Sequence, residues 1–266
     1  MIHLTDGEFQ ELVSFIRTNF GINLGKKRLL IEARLFSVLA EKNISSFTEY
    51  FNLIRSSPKE LNTMMNRLTT NHTYFMREPR HFEFLKEVIL PKLTENRQDK
   101  CLRIWSAGCS TGEEAYTAVM VMREWFGPHS GWDYRILATD ISTKVLEAAR
   151  QGVYSAESLQ NLPEGWRKGY FREKDGQGYV LSEEIKKEVI FRSLNLMEPF
   201  PFHQPFDLIF CRNVMIYFDQ DTKNNLIQKF YDSLKPGGYL LIGHSETVQR
   251  DIVPLRYIEP SIYQKG

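Results

Sequence analysis

The stretch Arg103-Ile-Trp-Ser-Ala-Gly-Cys-Ser-Thr-Gly-Glu-Glu114, followed by Arg135-Ile-Leu-Ala-Thr-Asp140, constrains this chain more than any other feature. Each half reads as a short apolar strand that stops in the residue types a ligand needs. Gly108 and Gly112 permit a tight turn with positive φ and let backbone approach a ligand with no Cβ in the way. Asp140, at the end of the next strand, is placed to accept hydrogen bonds from ribose hydroxyls. Strand–loop–helix units of this kind build a doubly wound sheet, whose ligands sit beyond the C-terminal strand ends.

The loop departs from the dinucleotide pattern Gly-x-Gly-x-x-Gly, because Ala107 and Cys109 flank a single early glycine. No Gly-Lys-Ser/Thr ends it, and its helix opens with Glu113 and Glu114. A helix N-terminus already carrying two carboxylates is a poor phosphate cradle, so a ligand bearing a cation or an amine fits better. S-adenosylmethionine, with a ribose, an ammonium, a sulfonium and no phosphate, meets that description.

The rest of the chain divides by pattern. Residues 1–70 read as an all-α bundle. Thr5 with Glu8 forms a capping box ahead of Phe9, Leu12, Val13, Ile16 and Phe20 at helical spacing, and Gly21 ends that helix. A second helix is expected from about Lys26 to Lys42, with Leu29, Leu30, Ala33, Phe36, Leu39 and Ala40 on its apolar side. A third runs from Ser46 to Arg55, and Pro58 opens a fourth with Leu61, Met64, Met65 and Leu68 as its stripe. Residues 71–97 form an interdomain segment and a helix from Arg80 to about Leu93. From 98 to 266 strands alternate with helices: strands at Leu102–Ser106, Tyr134–Thr139, Glu188–Ser193, Asp207–Cys211 and Tyr239–Gly243, and a returning pair at the end. That alternation implies a mostly parallel sheet covered on both faces. Gly165-Trp-Arg-Lys-Gly-Tyr-Phe and Asp175-Gly-Gln-Gly-Tyr-Val-Leu predict a small β hairpin inserted at about 166–188.

Bulk properties narrow the function. A formal charge of +1 supplies no global field for nucleic acid. The three cysteines have no paired spacing and no His/Cys cluster accompanies them, so neither disulfides nor a metal is expected. The N-terminus lacks a signal-peptide pattern and no long apolar run occurs, so a cytoplasmic protein with no membrane insertion is expected. Arg212 and Asn213 emerge from a buried strand, where a ligand or water must satisfy them. Asn195 and Leu196, taken alone, read as turn and core residues.

Four strings carry a family resemblance: Ser106-Ala-Gly-Cys-Ser-Thr-Gly-Glu-Glu, Asn71-His-Thr-Tyr-Phe-Met-Arg-Glu, Phe210-Cys-Arg-Asn-Val-Met-Ile-Tyr-Phe-Asp and Leu234-Lys-Pro-Gly-Gly-Tyr-Leu-Leu-Ile-Gly-His-Ser-Glu. Together they resemble the CheR family of chemotaxis receptor methyltransferases, over residues 5 to 264. The resemblance implies an α/β class I S-adenosylmethionine-dependent methyltransferase fold, Rossmann-like, with an N-terminal all-α domain and a small β-hairpin insertion. It implies methyl transfer to glutamate carboxylates of receptor helices, leaving S-adenosylhomocysteine. Asn71, Thr73 and Arg77 would border the cofactor from the interdomain segment, beside the loop residues Ala107 and Gly108. Glu114 would meet the methionine amino group and Asp140 the ribose. Asn195 and Leu196 would contact the adenine side, while Arg212, Asn213 and Tyr217 line the methyl-transfer end. Arg77 and Tyr217 are the catalytic candidates.

The implied partners are methyl-accepting chemotaxis proteins, met by a monomer recruited to receptor arrays. Lys26, Lys27, Arg28 and Arg34 form a basic helix face suited to docking glutamate-rich receptor helices. The insertion, Arg172 to Glu188, is shorter than in members that dock a receptor C-terminal pentapeptide, so that tether is not expected. Three other readings remain open at this point: a nucleic-acid methyltransferase, a small-molecule O-methyltransferase and a non-enzymatic cofactor-sensing adaptor. Against the first, the place after the fourth strand holds Arg212-Asn-Val-Met where base-amine methyltransferases carry Asn/Asp-Pro-Pro-aromatic.

Overall fold

The Thr5 hydroxyl accepts the Glu8 amide and the Glu8 carboxylate accepts the Thr5 amide, so α1 (Asp6–Phe20) starts at the expected capping box. Gly21, left-handed at φ 72°, ends it. Helices α2 (Arg28–Glu41), α3 (Phe47–Ser56) and α4 (Pro58–Leu68) complete a bundle around Ile16, Leu35, Phe47 and Met64. The structure, a computed structural model, describes residues 3–127, 130–174, 176, 178–249 and 251–266.

Of the apolar side expected for α2, Leu39 is fully buried and Leu30 half-buried, but Leu29, Ala33, Phe36 and Ala40 are exposed. Ile31, Leu35, Val38 and Leu39 face the core, whereas Leu29 is 80% exposed and Phe36 43% exposed. Both runs, 31-35-38 and 29-33-36-40, satisfy a period of 3.6, so periodicity alone could not choose between them. Packing against α4 decides.

A rod over 80–94 follows the interdomain segment: α5 (Arg80–Phe84), a π turn (Leu85–Ile89) and α6 (Leu90–Thr94). Pro91 has no N–H to donate to the preceding turn, and the helix widens just ahead of it.

The second domain then alternates: β1 (Ile104–Ala107), α7 (Glu113–Phe126), β2 (Ile136–Asp140), α8 (Thr143–Gln151), β3 (Val153–Tyr154), α9 (Glu164–Tyr170), β4 (Phe171–Lys174), β5 (Gly178–Leu181), α10 (Glu183–Lys186), β6 (Val189–Ser193), β7 (Phe206–Cys211), α11 (Gln220–Ser233), β8 (Leu234–Ile242), β9 (Leu255–Glu259) and β10 (Ile262–Lys265). The main sheet has the order β6-β2-β1-β7-β8-β10-β9, parallel through β8 and antiparallel at the returning pair. Strand order reverses between β1 and β7, which places the site at that switch point.

The insertion is larger than a hairpin. Its small sheet has three strands in the order β3-β5-β4. Residues 165–170, expected as the hairpin's first strand, are helical in α9. Pro163 stands at the N-cap and Glu164 pairs with Lys168 one turn on at 2.5 Å, which favours helix over the aromatic content that suggested a strand. The expected turn residues Asp175 and Gln177 lie outside the described residues. No helix among the described residues is long and apolar enough to cross a membrane.

Candidate cofactor and methyl-transfer site

One cleft lies between the bundle and the C-terminal edge of the main sheet. Its floor is the β1–α7 loop, its sides are the segments after β2, β6 and β7, and its roof combines α2 with residues 68–74. Eleven of the twelve expected cofactor residues line it: Asn71, Thr73, Arg77, Gly108, Glu114, Asp140, Asn195, Leu196, Arg212, Asn213 and Tyr217. Ala107 does not. It is fully buried at the end of β1, beneath the loop it was expected to share.

The loop is held from below and from the side. Gly108 and Cys109 donate their amides to the Thr139 carbonyl at 2.8 and 2.9 Å, and Ser110 donates its amide to Asp140 Oδ2 at 2.9 Å. The Ser110 hydroxyl donates to the Asn71 carbonyl at 2.9 Å, tying the loop to the interdomain segment. Gly108 has φ 81°, and a Cβ there would strike the Val214 side chain. Only glycine fits.

Asp140 is 9% exposed and also accepts the Ser142 amide at 2.9 Å. Burial pushes its carboxyl above the usual range, opposed by the Ser142 and Ser110 amides. The cap of α8 is Ser142, so Asp140 stays available to the cleft.

Glu113 and Glu114 part company. Successive helix residues point about 100° apart. Glu114 faces the cleft, accepting the Ser106 hydroxyl at 2.7 Å with Arg212 Nη1 at 3.5 Å. Glu113 turns away to Thr111 at 2.6 Å and Ser158 at 3.4 Å. The expectation that both acids shape the ligand preference is therefore corrected to Glu114 alone. Burial raises the Glu114 carboxyl, with Arg212 opposing.

Arg212 was expected to line the methyl-transfer end, satisfied by water or a ligand. Its side chain is 2% exposed and committed: Nη2 lies 3.1 Å from Glu78 Oε2 and also donates to the Arg77 carbonyl, and the guanidinium sits over the Phe82 ring. It bridges two acids. Glu78 also accepts from Asn213 Nδ2 at 3.3 Å and the His244 amide at 3.2 Å. Burial works to raise Glu78, but Arg212 and these bonds outweigh it and hold the carboxyl low. Sequence reasoning missed Glu78, although it adjoins Arg77 in a quoted string. Its positive φ of 54° is visible only in the structure.

Glu78, His81 and His244 bring possible ligand atoms within 4.8 Å of one another. The Arg212 guanidinium already abuts that carboxylate, and a cation there would face a fixed positive charge. Burial and Arg212 push His81 down to about 3, so its ring is neutral at pH 7.

Arg77 donates to the His72 carbonyl at 2.8 Å and lies over the Tyr74 ring, with no carboxylate partner among the described residues. The Tyr217 carbonyl accepts the Asn23 amide at 2.8 Å, and Lys27 Nζ lies 5.5 Å from the Tyr217 ring centre. Asn195 spends its amide on the Asn19 carbonyl at 2.7 Å and its oxygen on the Met197 amide at 3.1 Å, so it builds the cleft wall more than it offers free donors. The basic face divides as well. Lys26 is exposed and Lys27 lines the cleft. Arg28 is engaged with Asp6 and the Leu4 carbonyl, and Arg34 braces the carbonyls of Leu68 at 2.7 Å and Thr69 at 3.3 Å.

Comparison with known proteins identifies both domains. Residues 71–260 match the CheR methyltransferase SAM binding domain, and residues 7–69 match the CheR methyltransferase all-alpha domain. The chemotaxis protein methyltransferase of Borreliella burgdorferi is 48% identical over 273 aligned residues, covering 100% of this chain and 96% of that protein. The Escherichia coli chemotaxis protein methyltransferase is 38% identical, covering 91% and 85%. Chemotaxis protein methyltransferase 2 of Vibrio cholerae is 36% identical, covering 94% and 88%. With both domains matched and a relative 48% identical along the whole chain, the protein belongs to the CheR methyltransferase family and is an S-adenosylmethionine-dependent methyltransferase.

Proposed function

We propose that the protein methylates glutamate side-chain carboxylates on the cytoplasmic helices of chemoreceptors, forming glutamyl methyl esters. The observation that carries this reading is Arg77, a guanidinium that lines the same cleft as Tyr217 and has no ion-pair partner among the described residues, its contacts being the His72 carbonyl and the Tyr74 ring. Glu114 suits the cofactor's ammonium and Asp140 its ribose, while Leu196 and Phe218 offer apolar surface to the adenine. The cofactor supplies a methyl group already activated by its sulfonium. An acceptor glutamate is ionised at pH 7, its reference pKa being about 4.3, so no general base is required. The neutral, buried His81 fits that requirement.

Catalysis then rests on positioning and on partial desolvation of the nucleophile. Arg77 orients the acceptor carboxylate through a forked hydrogen bond, and Tyr217 walls the methyl group. Docking falls to Lys26, Lys27 and the exposed Leu29 and Phe36 of α2, which extend outward from the cleft edge at Lys27 and Leu30. An amphipathic helix bearing glutamates matches that mixture of cation and apolar side chain.

The test is chemical. The protein is incubated with methyl-labelled cofactor and receptor-containing membranes, and the label is expected to leave as methanol in mild alkali. Label that resists alkali would mark an N-methyl product and overturn the glutamate reading.

A further inference from the structure

The string Gly243-His-Ser-Glu246 follows the last parallel strand, and the transfer chemistry makes no use of its acid. Glu246 is 6% exposed, yet no cation pairs with it among the described residues. Its partners are backbone amides. Oε2 accepts Asn213 at 3.0 Å and Gly243 at 2.6 Å, and Oε1 accepts Ile216 at 3.1 Å. The packing leaves no slack, since a Cβ on Gly243 would lie 2.8 Å from the Asn213 nitrogen and 2.9 Å from Glu246 Oε2.

The segment so held is the wall of the cleft that carries Tyr217. Asn213 sits at φ 58°, in the left-handed region that asparagine adopts more readily than other non-glycine residues, and the Glu246 carboxylate holds its amide there. The next residues turn through a 3₁₀ helix, Met215–Tyr217. A carboxylate presents acceptors only, so it can meet three convergent N–H groups, whereas an amide would set a donor against one of them.

We infer that Glu246 is a positioning residue for methyl transfer, fixing Tyr217 and Asn213 against the reacting groups without touching them. The inference rests on the methyl-transfer reading of Tyr217.

The test is Glu246→Gln, read in three ways. Turnover is expected to fall by more than about tenfold, while cofactor affinity stays within about threefold of the parent. Hydrogen exchange at the amides of residues 213–217 is expected to accelerate, with β1 and α7 unchanged. Glu246→Asp, which keeps the charge on a shorter arm, should fall between the two. Full turnover with unaltered exchange overturns the inference. Parallel loss of turnover, cofactor affinity and melting temperature also overturns it, because that pattern marks a support for the fold alone. Should the Gln variant fail to fold, Gly243→Ala pushes on the same contact from the opposite side and must give the same selective loss. Failure of the glutamate reading shows separately, as a parent protein that releases no methanol-yielding label while its 213–217 amides still respond to Glu246→Gln.

Discussion

Two walls of one cleft are built by opposite means. On the floor, between β1 and α7, polar groups are buried and bonded: Ser106 to Glu114, Ser110 to Asp140, Gly108 to Thr139. On the roof, the turn before α2 exposes Lys26 and α2 itself exposes Leu29 and Phe36, while Lys27 lies over the Tyr217 ring. The floor is held by its own hydrogen bonds, so little ordering opposes cofactor binding. The roof acquires partners only when another surface covers it. A fixed floor suits a ligand that is the same in every turnover, and an open roof suits acceptors that differ from site to site.

Perturbing each wall sharpens that contrast. The largest effect is expected where the walls meet, at Arg77. Arg77→Ala should lower turnover by about 10²-fold or more with the fold intact, checked by initial rates beside circular dichroism. Near-normal methylation by that variant would remove Arg77 from the mechanism.

Next is a paired test of the floor. Glu114→Ala removes the proposed partner of the cofactor's ammonium and should weaken cofactor binding by about 2 kcal/mol, as expected for a hydrogen bond to a charged group. Glu113→Ala should leave affinity close to the parent, since its carboxylate bonds Thr111 and Ser158 outside the cleft. Equal losses in titration calorimetry would contradict the separation of the two acids.

Acidification is a milder probe of the same wall. Burial raises both Asp140 and Glu114 above the ordinary carboxylate range. Folded protein therefore binds these two protons more tightly than unfolded chain does. Their contribution to folding stability falls as pH rises through the raised values and recovers as pH drops. Cofactor binding needs the ionised forms and changes the other way. Affinity should decline at a higher pH than exposed carboxylates would require, while these two groups favour the folded apo protein. Affinity that holds constant until global acid unfolding would count against both assignments.

The smallest effects belong to the roof. Lys26→Glu with Lys27→Glu should raise the apparent Michaelis constant for receptor and flatten its salt dependence. Leu29→Ser should change folding stability by less than about 0.5 kcal/mol, as for an exposed site. Its effect, if the roof docks acceptors, appears only in receptor affinity. Unchanged receptor kinetics in both variants would move docking elsewhere.

How legible these walls are in sequence follows from how they work. The floor depends on backbone geometry, and glycine spacing with strand-end acids is nearly a direct record of backbone geometry, so Gly108, Glu114 and Asp140 could be placed. The roof depends on which face of a helix the core takes. In α2 both faces are apolar, and only packing against α4 separates Leu35 from Leu29. The strand–helix alternation was readable throughout the main sheet. The insertion was read less well, because tryptophan and tyrosine in 165–170 suggest a strand while Pro163 and Glu164 start a helix. Glu78 and Glu246 escaped notice for another reason. Each acts through groups distant in sequence, Arg212 and His244 for one and Asn213 and Ile216 for the other, and nothing local marks such a role.

The cleft divides the bundle's hydrophobic core from the two cores of the sheet domain. Slender links span it: Arg17 to Asp219, Asn195 to the Asn19 carbonyl, Ser142 to Asn66, and the bridge between Ile22 and Phe218. A small molecule seated there touches both bodies and acts as mortar between them. By mass action, whatever fills the cleft also raises the stability of the joint.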